Sequence, residues 1–441
     1  MNAHRSSLPV RLALIGLIAL AAASAPASSV NVGPADPMTI DQPRVAVRLT
    51  DPATGAELGP EYANSFLLDT GAQGIIAAGY AVLEMTDYGY RTEGRFYELG
   101  VGGMIAFDLS AEYNFEFAGT DGTPYMISRA RILSDPELNL GGFGGIVGTP
   151  AMVGRVTTLD LPNLLGAGGV FDFDYIGVDF ADALPAGGLH RYSAPVALVP
   201  FDPPSENNGP LMPTYGPIPV VATRVACGPN ASGGMFILDT GAQLSMISTA
   251  VALELGLDTD GDGDVWNEAI AFTEISGVSG TVMVPIVAIE KLVLPTEQGV
   301  DIVWTDLELV VHDLVDPEDP GAPNIPGIFG SDLLTTGWIR AVFETRDGGA
   351  FNRIHLDFRS DDQARLVLDV NSDYAFFTHT ASLPGDANED GSVDLDDFVT
   401  LKQRFGTAPA AWFDGDFNAD GAVDLDDFAI LKQNFGATAA P

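Results

Sequence analysis

The octapeptide FLLDTGAQ at Phe66–Gln73 returns as FILDTGAQ at Phe236–Gln243, with seven of eight residues identical and 170 positions between the copies. Each copy is an apolar run, the pattern of a buried strand, leading directly into Asp-Thr-Gly-Ala. A chain that carries this unit twice can bring two carboxylates, Asp69 and Asp239, face to face across a pseudo-twofold axis. Carboxylates held about 3 Å apart cannot both ionise, so one serves as a base while its protonated neighbour serves as an acid. Gly71 and Gly241 allow the backbone to approach a carboxylate closely. Thr70 and Thr240 supply hydroxyls able to satisfy backbone groups buried between two halves.

The repeat extends well beyond eight residues. PRVAVRLTDPATG (Pro43–Gly55) precedes the first copy and PVVATRVACGPNASG (Pro219–Gly233) the second, each reading as an alternating strand followed by a turn. Downstream, GGIVGTPAM (Gly144–Met152) corresponds to PGIFGSDLL (Pro326–Leu334), and YIGVDFAD (Tyr175–Asp182) to RIHLDFRSD (Arg353–Asp361). Two helical patterns, Tyr80–Met85 and Thr249–Gly256, follow the two motif strands in register.

On these motifs the chain resembles the aspartic proteases with two lobes in one polypeptide, and Ala72 and Ala242 are closer to the retropepsin form than to the pepsin form. The resemblance implies a mainly β, two-lobed fold with Asp69 and Asp239 as catalytic residues supported by Thr70, Gly71, Thr240 and Gly241. It also implies chemistry that needs neither a covalent intermediate nor a metal. The Gly-rich segments Tyr97–Phe107 and Thr273–Val284 read as hairpins, which in that family close over substrate. Tyr88, Tyr90 and Tyr97 are equal candidates for a hairpin tyrosine.

A second duplication occupies the C-terminus: GDANEDGSVDLDDFVTLKQRFG (Gly385–Gly406) returns 30 residues later as GDFNADGAVDLDDFAILKQNFG (Gly415–Gly436). Counted from Asp386, the loop places Asp386, Asn388, Asp390, Asp394 and Asp397 at positions 1, 3, 5, 9 and 12, with Gly391 at 6 and Ser392 at 7. The second loop repeats this with Asp416, Asn418, Asp420, Gly421, Ala422, Asp424 and Asp427. Such spacing wraps oxygen ligands around a calcium ion, so two Ca2+ are expected. One helix follows each loop, and position 12 is Asp rather than Glu. The segment is similar to type I dockerins, small α-helical modules that pair two such units and bind cohesin modules. That resemblance assigns partner recognition to Leu395, Asp396, Leu425 and Asp426, although Leu-Asp departs from the Ser-Thr of clostridial examples. A third acidic run, Leu257–Glu268, has loop-like spacing from Asp258, but Ala269 at position 12 cannot close a calcium site, so a solvated loop is expected.

Residues 1–27 have the pattern of a signal peptide: Arg5 and Arg11, an apolar stretch Leu12–Ala23 too short to span a bilayer, and Ala25-Pro26-Ala27. A secreted or surface-associated protein without a transmembrane segment is therefore expected. The formal net charge of −40 argues against nucleic acid as a partner. Cys227 is the only cysteine, so an intrachain disulfide is excluded. His190, His312, His355 and His379 follow no catalytic or zinc spacing.

The domains expected are a flexible stretch 28–40 opening an N-terminal lobe (28–184), a Pro-rich connection (185–218), a C-terminal lobe (219–378), a linker (379–384) and the dockerin (385–437). The leading functional expectation is an aspartic endopeptidase acting on peptides or proteins and tethered through its dockerin to a cohesin-bearing partner. A catalytically silent protease fold used for binding is one alternative, although retention of both Asp-Thr-Gly units argues against it. An accessory component of a polysaccharide-degrading assembly is the other, and no sugar-cleaving acid pair supports it.

Overall fold

The computed structural model describes residues 29–39, 41–161, 176–187, 190–200, 203, 204, 206, 207, 209–314, 325–339, 348–372, 374–378, 384–387, 392–407, 415, 417 and 422–438. The signal-peptide segment lies outside them. Residues 29–378 form one compact unit and the residues from 379 onward form another.

The larger unit is mainly β and two-lobed. In the first half, the motif strand Ser65–Leu68 lies between Arg44–Thr50, antiparallel to it, and Gly145–Val147, parallel to it, with Ile146 opposite Leu67. In the second half, Asn230–Leu238 lies between Ile218–Cys227 and Gly327–Phe329 in the same senses, with Ile328 opposite Ile237. The duplicated sequence has therefore folded twice into one local topology. The parallel neighbour follows from its composition: Gly-Ile-Val and Gly-Ile-Phe are fully buried apolar triplets, and such runs suit a strand covered on both faces. Each triplet ends in a Gly and a short helical turn, Thr149–Ala151 in the first half and Ser331–Leu334 in the second.

Each half has its own core. Leu67, Ile76, Phe96, Phe107, Leu109, Leu133 and Ile146 pack together in the first, and Ile218, Val220, Ile237, Met246, Val284, Val310 and Ile328 in the second. Helix Gly79–Asp87 follows the first motif and buries Ala81, Val82 and Met85. Helix Thr249–Glu254 follows the second and is capped by the Ser248 side chain, which accepts from the Val251 N–H at 3.3 Å.

Two expected boundaries require correction. Residues 29–33 are not a flexible lead-in, because strand Ser29–Gly33 buries Val30 and Val32 between Asp301–Val311 and Phe376–Thr378. That strand thus belongs to the sheet of the second half. The Pro-rich connection contains the nine-residue strand Arg191–Val199, which pairs with Arg365–Val370 and Ile218–Cys227. The two halves also share a sheet. Gly177–Ala181 and Val156–Asp160, from the first half, continue into Phe351–Asp357 and Arg365–Val370 from the second, with Arg191–Val199 and Ile218–Cys227 next in order. Four neighbouring strands of this shared sheet are stitched laterally. Thr158 Oγ1 lies 2.8 Å from His355 Nδ1, His355 Nε2 lies 3.1 Å from Asp369 Oδ2, and Arg191 grips Asp369 through Nε at 2.6 Å and Nη2 at 2.8 Å. His355 is thereby a buried structural residue.

The C-terminal unit pairs helices Leu395–Arg404 and Leu425–Asn434 around Ala387, Val393, Leu401, Phe417, Val423 and Leu431. The repeats clasp one another. Val393 N–H donates to Ala437 O at 2.9 Å and Gly436 N–H to Val393 O at 2.7 Å, while Gly406 N–H donates to Val423 O at 2.8 Å. Among the described residues no helix is long and apolar enough to cross a membrane.

Candidate active site and calcium module

Asp69 and Asp239 meet where the two motif strands end. Each carboxylate accepts from its own turn: Gly71 N–H reaches Asp69 Oδ1 at 2.7 Å, and Gly241 N–H and Ala242 N–H reach Asp239 Oδ1 at 2.8 and 2.9 Å. The glycines lie against the opposite carboxylates. A Cβ on Gly71 would fall 2.5 Å from Asp239 Cγ, and one on Gly241 would fall 2.4 Å from Asp69 Cγ. Only glycine fits either place, as the close approach demands.

The threonines hold the pair together from beneath. Thr70 Oγ1 donates to Leu238 O at 2.5 Å and accepts from Thr240 N–H at 2.9 Å. Thr240 Oγ1 donates to Leu68 O at 2.8 Å and accepts from Thr70 N–H at 3.1 Å. Both threonines are fully buried, so these four bonds satisfy groups that water does not reach. Two further contacts escaped the sequence: Gln42 Nε2 donates to Gly241 O at 2.6 Å, and Ser331 Oγ to Thr240 O at 2.7 Å.

Burial, then the neighbouring Asp239 charge, pushes the Asp69 carboxyl well above its ordinary range. Burial also raises Asp239, against hydrogen bonds from Asp69 and from the turn amides that favour its charged form. The two carboxyls hydrogen-bond one another, so the charge on either is felt by its neighbour. Nearby, buried Asp332 accepts from Ser245 N–H at 2.9 Å and Ser245 Oγ at 2.6 Å, and burial lifts it to about 6.

The two Gly-rich segments are hairpins, Thr92–Gly100 with Gly103–Ser110 and Ala271–Gly277 with Gly280–Leu294. Their tips touch: Gly102 N–H donates to Ser279 Oγ at 2.7 Å, and a Cβ on Gly277 would lie 3.4 Å from Val101 Cβ. Of the three tyrosines, Tyr88 is exposed beside the first helix and Tyr90 is buried against Tyr113. Tyr97 lies on the hairpin, its N–H donating to Asn207 Oδ1 at 2.8 Å.

In the C-terminal unit, Asp394 and Asp424 cap the two helices with nearly identical backbone angles. Asp397 accepts from Ala387 N–H and Asp394 N–H, both at 2.7 Å, and Asp427 from Phe417 N–H at 2.7 Å and Asp424 N–H at 2.8 Å. A carboxylate with one amide on each oxygen retains lone pairs for a cation. Asp386, Asp397 and Asp427 are all buried in this small module, and buried carboxylates need a compensating charge. The described donor set therefore fits calcium. Asn388, Asp390, Asp416, Asn418 and Asp420 lie outside the described residues, whereas Ser392 and Ala422 stand at position 7 of their loops. Leu395 and Leu425 are 63% and 70% exposed at the helix starts, with Asp396 and Asp426 beside them, also exposed. In the third acidic run, carboxylate oxygens of Asp258, Asp260 and Asp262 lie within 4.8 Å of one another. Asp258 is occupied by the loop's own Gly261 and Gly263 amides, at 2.6 and 3.0 Å.

Fold and site together define a two-lobed aspartic-protease fold followed by a small helical module. Residues 228–333 match the family described as aspartyl protease, and residues 384–436 match the type I dockerin domain. The chain thus carries an aspartyl protease domain and a type I dockerin domain. Among solved structures, an aspartic proteinase from Irpex lacteus is similar at 12% identity and a TM-score of 0.40, covering 75% of this chain and 97% of that one. None of the curated proteins matches.

Proposed function

We propose that this protein is a secreted aspartic endopeptidase in which Asp69 and Asp239 activate a water molecule for attack on a peptide carbonyl. The ionised member takes the proton of the water. The protonated member hydrogen-bonds the developing oxyanion, and a proton is then delivered to the leaving nitrogen. Neither Asp forms a bond to the substrate. Thr70 and Thr240 hold the turns in register, and the touching hairpins exclude water from above. The observation that carries this reading is the reciprocal seating of Gly71 on Asp239 and Gly241 on Asp69, which leaves two half-buried carboxyls side by side.

The dockerin reading adds two structural calcium ions. Asp386, Asp394, Asp397, Asp424 and Asp427, together with the loop residues at the remaining positions, would hold them. When bound, each ion neutralises the carboxylates gathered around it. The exposed Leu395-Asp396 and Leu425-Asp426 pairs would then meet a cohesin-bearing partner. A digest of casein or mixed peptides, with and without a tight-binding aspartic-protease inhibitor, tests the enzymatic reading: inhibitor-sensitive cleavage is expected, and intact substrate at every acidic pH would overturn it.

A further inference from the structure

Glu98 is a half-buried carboxyl that the proposed water activation does not use. It lies on the hairpin strand Thr92–Gly100, where alternation puts Phe96, Glu98 and Gly100 on one face. Phe96 belongs to the core of the first half, and Gly100 sits against Ser279 at the opposing tip. Glu98 therefore points inward, between core and tip. Its Oε1 lies 3.9 Å from where a Gly74 Cβ would be, and Gly74 is the fifth residue beyond Asp69. The Tyr215 hydroxyl, from the connection between the lobes, donates to the same oxygen, and its ring packs on Phe96 at 5.4 Å between centroids.

The second lobe is built differently at the equivalent place. Both hairpins close on a glycine pair, Gly100 with Gly103 and Gly277 with Gly280. Counting back from those pairs, Glu98 corresponds to Ile275, which packs against the apolar core of the second half. Hairpin positions related by the pseudo-twofold symmetry thus carry an acid in the first half and an aliphatic side chain in the second. Burial lifts the Glu98 carboxyl to about 7, partly offset by the Tyr215 hydrogen bond. Burial therefore opposes ionisation until a cation arrives, and a lysine or arginine side chain is the substrate group that relieves it.

Resting on the protease reading above, we infer that Glu98, oriented by Tyr215, is a specificity-determining residue that selects a basic substrate side chain on one side of the scissile bond. The Ile275 side selects an apolar one. Cleavage sites in a defined peptide mixture, mapped by mass spectrometry with wild-type, Glu98→Ile, Glu98→Gln and Tyr215→Phe proteins, test this. The wild type should favour Lys or Arg over Leu at a single subsite by about tenfold, the scale of one charged hydrogen bond. That ratio should collapse toward unity in Glu98→Ile and Glu98→Gln and fall part of the way in Tyr215→Phe, which keeps the carboxyl and loses the hydroxyl that orients it. Equal ratios in wild type and Glu98→Ile, or a loss spread evenly over basic and apolar sites, would overturn the assignment and leave Glu98 as a fastener of the hairpin. Absence of any inhibitor-sensitive cleavage by the wild type would instead overturn the protease reading itself, and this inference with it.

Discussion

Gly71 is seated against Asp239 so closely that a methyl group at its Cα would fall 2.5 Å from both Cγ and Oδ2 of that carboxyl. The contact spans the two halves of the duplication and couples backbone position to carboxyl position. Gly71→Ala or Gly241→Ala should therefore displace the opposite Asp. A shift approaching 1 Å at a reacting centre costs on the order of a hundredfold in rate. Peptide hydrolysis kinetics, with circular dichroism to confirm the fold, would check this; near-normal kcat/KM in both variants would refute it.

The carboxyls themselves should behave as one device. Asp69→Asn or Asp239→Asn alone should lower cleavage by roughly a thousandfold or more, since residues that act as a unit fail together. Either single variant retaining full, inhibitor-sensitive activity would exclude the pair as the catalytic groups.

The pH response follows from the direction of the shifts. Asp69, Asp239, Asp332 and Glu98 all lie above their ordinary values because of burial. For an acid raised in the folded state, the stabilisation is complete below its unfolded value and is lost as pH rises through the folded value. Thermal stability of the larger unit should thus decline as pH climbs from about 4 through about 7, the span covered by Asp332 at about 6 and Glu98 at about 7. Asp332→Asn should flatten the part of that decline near 6. Activity should peak at roughly pH 4–6, where one shared proton remains. Asp369 works in the opposite sense: gripped by Arg191 and His355 and held at about 2, it contributes stability that is lost only as pH falls through that value. Melting temperatures measured from pH 2 to pH 8 would show both limbs, and a flat profile would contradict the assignments.

Removing the Thr70 hydroxyl leaves the Thr240 N–H and the Leu238 carbonyl without their buried partner. Thr70→Val should cost about 2–4 kcal/mol, at about 1–3 kcal/mol for each stranded group with some relaxation. Thr70→Ser keeps the oxygen and should lose much less. Denaturant unfolding of the two variants separates the hydroxyl from the methyl contribution.

Chelation should act on the C-terminal unit alone. Without calcium the carboxylates gathered around Asp386, Asp397 and Asp427 repel one another, and six buried apolar side chains are a small core to resist them. In the full-length protein, the helices Leu395–Arg404 and Leu425–Asn434 should melt in chelator and return with about two calcium ions bound. Asp386→Ala and Asp416→Ala should each remove one ion by calorimetry and leave peptide cleavage unaltered. No calcium uptake at millimolar concentration would remove both the dockerin function and the partner.

Much of this protein could be read in one dimension because its signals are short and stated twice. Strand, Asp-Thr-Gly and buried apolar triplet are each a local pattern, and their return 170 residues later specifies a two-lobed β fold. The proposed calcium loops are likewise read from spacing within a dozen residues, where side-chain identity sets which oxygens are on offer. What tertiary structure decided are relationships without a local signature. Ser29–Gly33 looks like a loose start, yet it inserts between strands some 270 and 350 residues away because Val30 and Val32 need covering. The Pro-rich connection holds a strand because the edges of the shared sheet on either side offer it unpaired backbone groups. Glu98 and Tyr215 are ordinary residues in sequence, 117 positions apart, and their side chains meet only when the hairpin packs against the connection between the lobes. Periodicity and motif report what a residue requires of its neighbours along the chain; which distant group meets that requirement is settled by how the two halves pack.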